Sequence, residues 1–225
     1  MLQKLNKTDE KMIKGVITGD IVGSTNIKTE YRATLLNCLN TMKEELQCVS
    51  PFTMELFRGD SFQLLVEDPT AALKVAILLR AGLIHHTPDK ENGMWDARIS
   101  LGIGQVEFMA DSIVTSDGEA FQYSGRLLDT MNKTRLAIKT PWHDVDEELD
   151  VSTAFADDII KRWSGKQAGM MYLSLKSDSP KKKVAEHIGT SVQNVRNVLS
   201  SAREPLIRMY LERYCKVITD HLSKQ

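Results

Sequence analysis

The sequence predicts an α+β fold in which a split βαβ sheet precedes an all-α segment. Two observations carry this. Runs of strand length and runs with helical spacing follow one another as β-α-β-β-α-β within residues 12–104. Further on, two short amphipathic stretches flank a single Gly, Gly189.

Each element has its own signal. Residues 12–18 are apolar on average and read as a buried strand. Residues 28–48 place Leu35, Leu36, Leu39, Met42 and Leu46 on one side at helical spacing. Residues 53–66 hold two extended runs, FTMELF and SFQLLV, around the turn Arg58-Gly59-Asp60, and so form a hairpin. Pro69 opens a helix that continues through Ala72, Leu73, Ala76, Ile77 and Arg80 to about residue 86. A polar loop, residues 87–93, leads to a loosely alternating strand, 97–104. Residues 120–138 read as a helix, in which Gly125 costs about 1 kcal/mol. The arrangement is ferredoxin-like: an antiparallel sheet with helices on one face, the first strand and the hairpin side by side in its middle.

Composition narrows the class. Apolar residues make up 42% of the 225, enough for a sizeable core. No apolar run reaches the roughly 18 residues that span a bilayer, and the stretch MLQKLNKTDEKM is too polar for a signal peptide. Cys38, Cys48 and Cys215 show no metal or redox spacing and read as buried thiols in a reducing compartment. A soluble cytoplasmic protein without a membrane partner is expected. Charge is uneven: residues 151–225 carry 13 Lys and Arg against 7 Asp and Glu, while residues 1–150 carry 16 against 23. An acidic domain, 1–145, followed by a basic one, 146–225, is expected.

The stretch GVITGDIVGST, residues 15–25, ends a strand in Asp20 and a loop of small residues. It lacks the G-x-x-x-x-G-K-[ST] and G-x-G-x-x-G patterns, so it is not an ordinary phosphate loop. In the split βαβ arrangement Asp20 lies near Asp60 in the hairpin turn. Adjacent carboxylates repel unless a cation shares them. Mg²⁺ or Mn²⁺ suits such oxygen ligands and keeps positions for substrate phosphates. Ile21, Val22 and Gly23 can offer a carbonyl to the ion and N–H groups to a phosphate. The alternative is structural, with Asp60 a turn residue and Asp20 a helix cap.

Over residues 13–138 the chain resembles the catalytic domain of class III nucleotidyl cyclases. Thr18-Gly-Asp-Ile-Val-Gly-Ser-Thr25 is similar to that family's F-x-D-I-x-G-[FS]-T, and Gly59-Asp60 to its second metal-binding turn. Arg98-Ile-Ser-Leu-Gly-Ile-Gly104 keeps the first and last members of R-x-G-x-x-x-G. Gly118-Glu-Ala-Phe-Gln-Tyr-Ser-Gly-Arg126 stands where the family has G-x-x-V-N-x-A-x-R. The resemblance implies metals on Asp20 and Asp60, base selection at Leu56 and Thr115, ribose orientation at Gln122, and transition-state stabilisation by Arg126. It also implies a head-to-tail homodimer, because the Asp pair and the Asn–Arg pair come from different subunits. Leu56 departs from the family's Lys or Glu and cannot hydrogen-bond to a base. Gln122 replaces Asn with a side chain one methylene longer. The whole chain also resembles SatD-type bacterial proteins, with a cyclase-like front and an extra C-terminal region.

The C-terminal part carries a second job. The acidic run 142–150 reads as a linker or a solvated helix face. Phe155, Ile159, Ile160 and Trp163 form a helical core stripe, and residues 167–176 a packing helix. Residues 181–201 resemble a helix-turn-helix, with Gly189 in the turn and Ser191 capping the second helix. Gln193, Asn194, Arg196 and Asn197 can reach base edges of double-stranded DNA, and Lys181, Lys182 and Lys183 its phosphates. Protein interaction is the alternative role for such a helix pair. Residues 204–222 carry a long apolar stripe that either dimerises or packs back on the acidic domain. A DNA-binding regulator with a metal-dependent nucleotide-binding domain is therefore expected. The alternative is an active nucleotidyl cyclase, or related enzyme acting on a nucleoside triphosphate, with a two-metal site shared across a homodimer.

Overall fold

The computed structural model describes residues 12–57, 59–88 and 93–224. Arg58 of the hairpin turn, most of the loop 87–93 and the polar N-terminal stretch lie outside them. A five-stranded sheet is built from β1 (Ile13–Ile21), β2 (Phe52–Phe57), β3 (Ser61–Val66), β4 (Ala97–Gln105) and β5 (Leu136–Lys139) in the order β2-β3-β1-β4-β5. Around it lie α1 (Thr29–Glu45), α2 (Ala72–His85), α3 (Glu119–Thr130), α4 (His143–Lys161), α5 (Gly165–Lys176), α6 (Lys181–Ile188), α7 (Val192–Ser201) and α8 (Glu204–Leu222). The fold is α+β, and its first six elements follow the order expected from the sequence.

Four expectations need correction. The sheet is mixed, because β5 runs parallel to β4 beyond the split βαβ unit. The predicted helix 120–138 ends at Thr130, and residues 136–139 form β5. Thr130, Asn132 and Thr134 are poor helix formers between the two, and Leu136–Lys139 instead completes the ladder on β4. Helices cover both faces of the sheet. Of the three free thiols only Cys38 is buried, its ionisation pushed up to about 12, chiefly by that burial; Cys48 and Cys215 are exposed.

The sheet's alternation explains the two faces. Ile17, Leu64, Ile99 and Leu101 join the main core with α1, α2 and the later helices, whereas Val16 and Leu65 meet Ile113, Ala120 and Phe121 on the other face. There α3 sits very close to β4. A Cβ at Gly102 would lie 2.2 Å from the Ala120 carbonyl oxygen, and one at Gly104 2.9 Å from the Ala120 nitrogen. Between the helix and the strands, Ser100 Oγ donates to the Ser124 carbonyl at 2.6 Å, and the Thr18 and Ser124 hydroxyls pair at 2.9 Å.

Fully buried charge joins the sheet to α4. Arg80 reaches both Asp96 oxygens and one of Asp157, each at 2.8 Å. Arg135 adds a bond to Asp96 at 2.9 Å, and Lys161 pairs with Asp157 at 2.6 Å. Burial, the largest single influence, would raise the Asp96 carboxyl, but Arg80, Arg135 and the Ala97 amide together hold it below its ordinary range.

The acidic run 142–150 is a helix face, with Val145 and Leu149 in the core and Asp144, Glu147 and Glu148 outside. The stripe on α8 packs back: Tyr214 is buried and donates to the Pro69 carbonyl at 2.7 Å. Leu206 and Met209 stay exposed, as does Phe155 on α4. Residues 181–201 form two short helices around Gly189, whose φ of 71° is left-handed, and Ser191 Oγ caps α7 by accepting from the Asn194 amide. No helix among the described residues is long and apolar enough to cross a membrane.

Candidate functional site

Asp20 and Asp60 lie at the same end of the sheet. Asp20 stands opposite Ser61 on β3, and the Ile21 amide donates to the Asp60 carbonyl at 2.9 Å. The sheet register dictates this, since the last pair of the β1–β3 ladder adjoins the hairpin turn. Gly59, with φ of 79°, makes that turn, and a left-handed Gly23 starts the loop on the other side. Asp60 accepts from the Ser24 hydroxyl at 2.6 Å and from that of Ser61 at 3.4 Å.

A guanidinium already serves Asp20. Arg98 lies opposite it in the β1–β4 register and grips both carboxylate oxygens, from Nε at 3.0 Å and from Nη2 at 2.5 Å. Its Nη1 donates to the Met131 carbonyl at 2.7 Å, so the chain just after α3 fixes the fork. The hydrogen bond to Asp20 raises the Arg98 pKa further. The sequence marked Arg98 only as a motif member, and its partner became visible through the register.

The Ile21–Gly23 loop is largely satisfied from within. The Ile21 amide goes to Asp60, and the Val22 amide to the Asp96 carbonyl at 2.9 Å. Two of its three N–H groups are thus already engaged. Gln63, two residue pairs along from Asp20, gives its Nε2 to Thr18 at 3.1 Å, while its buried Oε1 finds no partner among the described residues.

The other sequence-predicted residues lie elsewhere. Ala120, Phe121 and Ser124 bury the sheet-facing side of α3, so Gln122 and Arg126 face outward. Arg126 donates to Gln122, and Gln122 to Asp117, both at 3.4 Å. Among the described residues no hydrogen bond or ion pair joins either of them to Asp20 or Asp60. Leu56 shares the strand face of the buried Phe52 and Met54 but is itself exposed. Its neighbour Glu55 points to the other face, accepting from Ser112 Oγ at 2.5 Å and the Ile113 amide at 2.9 Å. Thr115 is exposed, its hydroxyl donating to the Ser112 carbonyl at 3.0 Å.

On the helix pair, Arg196 is exposed, while Val195 and Leu199 are buried. Gln193 bonds Asn197 at 3.0 Å on the outer side. Asn194 is held by Thr190 at 2.9 Å and turns toward α5. Lys181, Lys182 and Lys183 are exposed, Lys181 within 3.4 Å of Glu204.

No family model matches the chain, and no curated protein matches it either. Neither the SatD resemblance nor a helix-turn-helix family therefore gains support from a match. Among solved structures the chain is similar to nucleotide cyclases. The adenylyl cyclase CyaB from P. aeruginosa shares 20% identity, with 59% of this chain and 77% of that one covered and a TM-score of 0.43. A bacterial light-regulated adenylyl cyclase shares 16%, with 56% and 75% covered and a TM-score of 0.41. The guanylyl cyclase Cya2 shares 16%, with 56% and 74% covered and a TM-score of 0.40. At these identities and scores the likenesses say nothing about activity.

Proposed function

We propose that residues 13–139 process a nucleoside triphosphate, as a nucleotidyl cyclase or a related enzyme, at a site completed by a second copy of the chain. One observation carries the reading. Asp20 and Asp60 stand together at one sheet end, while Gln122 and Arg126 face solvent on the outer side of α3. A two-fold pair would supply each site with the missing half.

The carboxylates suit a divalent ion. Arg98 uses one acceptor position on each Asp20 oxygen, and Ser24 and Ser61 use one on each Asp60 oxygen, leaving further hard oxygen positions for Mg²⁺ or Mn²⁺. No group of three or more His, Cys, Asp or Glu able to hold a metal occurs among the described residues, so substrate phosphates would share the ion. When bound, it would lower the pKa of an attacking hydroxyl and hold the triphosphate. Arg98 keeps Asp20 oriented, and Gln122 of the second copy would position the ribose. The second copy's Arg126 would stabilise charge on the phosphorus being attacked. Leu56 offers the base no hydrogen bond, so selection among bases should be weak.

The test is incubation of the purified chain with each of the four nucleoside triphosphates and Mn²⁺, with products separated by chromatography. Turnover is expected, and Arg126→Ala should lower it about 10²–10³-fold. Mixing Asp20→Ala and Arg126→Ala chains should restore part of it, because one mixed dimer holds one intact site. No product from any triphosphate would overturn the enzymatic reading. Separately, Mn²⁺ should raise the melting temperature of the parent but not of Asp60→Asn. A rise that persists in Asp60→Asn would place the ion elsewhere.

The polar outer side of α7 favours a second reading, in which the helix pair contacts double-stranded DNA and makes the chain a regulator. Its support is the left-handed Gly189, the Ser191 cap and the exposed Gln193, Arg196 and Asn197. Arg196→Ala should then weaken a selected site by about 1–3 kcal/mol. Lys182→Ala should weaken all duplexes alike and reduce the salt dependence by about one phosphate contact. Absence of duplex binding in low salt would remove this reading while leaving the first intact.

A further inference from the structure

The outer face of α4 combines exposed apolar side chains with charges in a particular order. Phe155 is 69% exposed and Val151 61%, and beside them on α8 Met209 is 63% and Leu206 50% exposed. Scattered apolar residues on a surface are ordinary, but a cluster of them marks a surface that another molecule covers. A groove of about 420 Å³ runs between the two helices, with chiefly apolar walls from Phe155, Ala156, Ile159, Ile207 and Met209.

The charges on α4 say which molecule fits. Glu148, Phe155 and Arg162 are spaced seven apart, so the two charged residues lie within about 20° of Phe155 around the helix. Val151 and Ile159, four positions to either side of Phe155, flank the same stripe. Reversed about Phe155, the stripe is its own complement: Glu148 changes places with Arg162, and Val151 with Ile159. An antiparallel copy of α4, related by a two-fold axis at Phe155, therefore sets acid against base and apolar against apolar. A parallel copy in register would oppose Glu148 to Glu148 and Arg162 to Arg162.

Both charged groups keep an atom for this. Glu148 Oε1 accepts from Arg213 Nε, and its Oε2 has no partner among the described residues. Arg162 turns Nε and Nη2 to Asp158, at 3.3 and 3.0 Å, and its Nη1 has no partner among the described residues. Exposed pairs of this kind hold weakly on their own, whereas a network holds better. Joining Glu148 to Arg162 of a second copy makes one line of alternating charge, from Arg213 to Asp158 of that copy. The two-fold makes it twice, the two lines about 21 Å apart along the helix with the apolar cluster between them.

We propose that α4 pairs antiparallel with α4 of a second copy about a two-fold axis at Phe155. The two Phe155 rings meet at the axis, and the covering helices shield Leu206 and Met209. This face holds none of Asp20, Asp60, Gln122 and Arg126, so the contact is additional to the one that would complete a triphosphate site.

Sedimentation equilibrium of the full chain tests it. The parent should associate, and Phe155→Glu should weaken that association about thirtyfold or more. Position 155 is exposed, so this variant should keep the parent's far-ultraviolet circular dichroism. Arg162→Glu and Glu148→Arg should each weaken association about tenfold, because each sets like charges opposite one another. The double variant restores opposite charges across the axis and should regain most of the loss. Within each chain the exchange sets like charges beside Arg213 and Asp158, but the free chain bears that cost as well. A parent that stays monomeric up to about 0.1 mM would overturn the proposal. Association unaffected by Phe155→Glu would overturn it too, by placing the contact on another face. A double variant that associates no better than either single variant would do the same.

Discussion

Arg80→Met is expected to lower stability by about 3–5 kcal/mol, the cost of removing one member of a buried ion cluster. For a chain of this length that is a fall in melting temperature of about 6–20 °C. The side chain is fully buried, and its fork satisfies two aspartates from different parts of the chain. Met fills a similar volume, so the loss would come from charge and not from a void. Asp96 keeps Arg135 and Asp157 keeps Lys161, but both carboxylates sit in the core with less positive charge than they need. A triple variant, Arg80→Met with Asp96→Asn and Asp157→Asn, should regain part of the loss, because no uncompensated charge then remains buried. Thermal melts of the three proteins decide it. A single variant that melts within about 2 °C of the parent would show that the cluster contributes little.

Gly102→Val should be nearly as damaging, and Gly125→Ala should act in the opposite direction. At Gly102 a Cβ alone would come within 2.2 Å of the Ala120 carbonyl oxygen and 2.7 Å of the Ser124 nitrogen. Neither atom can turn away, because both belong to the backbone of α3. The helix must therefore lift from the sheet, at a cost of about 1–3 kcal/mol or more. Gln122 and Arg126 would move with it, so any triphosphate turnover should fall further than stability does. At Gly125, on the same helix, nothing lies within 4 Å of the added carbon. There Ala removes the helix penalty of Gly and should stabilise by up to about 1 kcal/mol. Melting temperatures of both variants, with turnover for Gly102→Val, provide the check. Equal effects of the two substitutions would contradict the close approach of α3.

The sequence disclosed what depends on period and local chemistry. The hairpin, the strand ending in Asp20, the pair of short helices and the outward placement of Arg196 all follow from spacing within about twenty residues. It hid what depends on partners far along the chain. β5 was unreadable because four residues, LAIK, fit a helix as well as a strand, and only the edge of β4 decides between them. The grip of Arg98 on Asp20 spans 78 positions and follows from register alone. Arg80 did leave a trace: one Arg inside the otherwise apolar run VAILLRAGLI has no solvent face to occupy, so it needed buried carboxylates. Asp96 and Asp157, 61 positions apart, offered no matching trace of their own.

The bridge between Arg98 and Asp20 changes how the sheet end looks to an approaching polyanion. Two bare aspartates would present about two negative charges to a triphosphate that itself carries several. With Arg98 docked, one of the two is cancelled within 3.0 Å, and the remaining charge belongs to Asp60. Repulsion between unit charges that can meet within a Debye length of about 8 Å would otherwise slow encounter at physiological salt. The sheet end thus carries about one negative charge instead of two, and the proposed triphosphate would meet correspondingly less repulsion there.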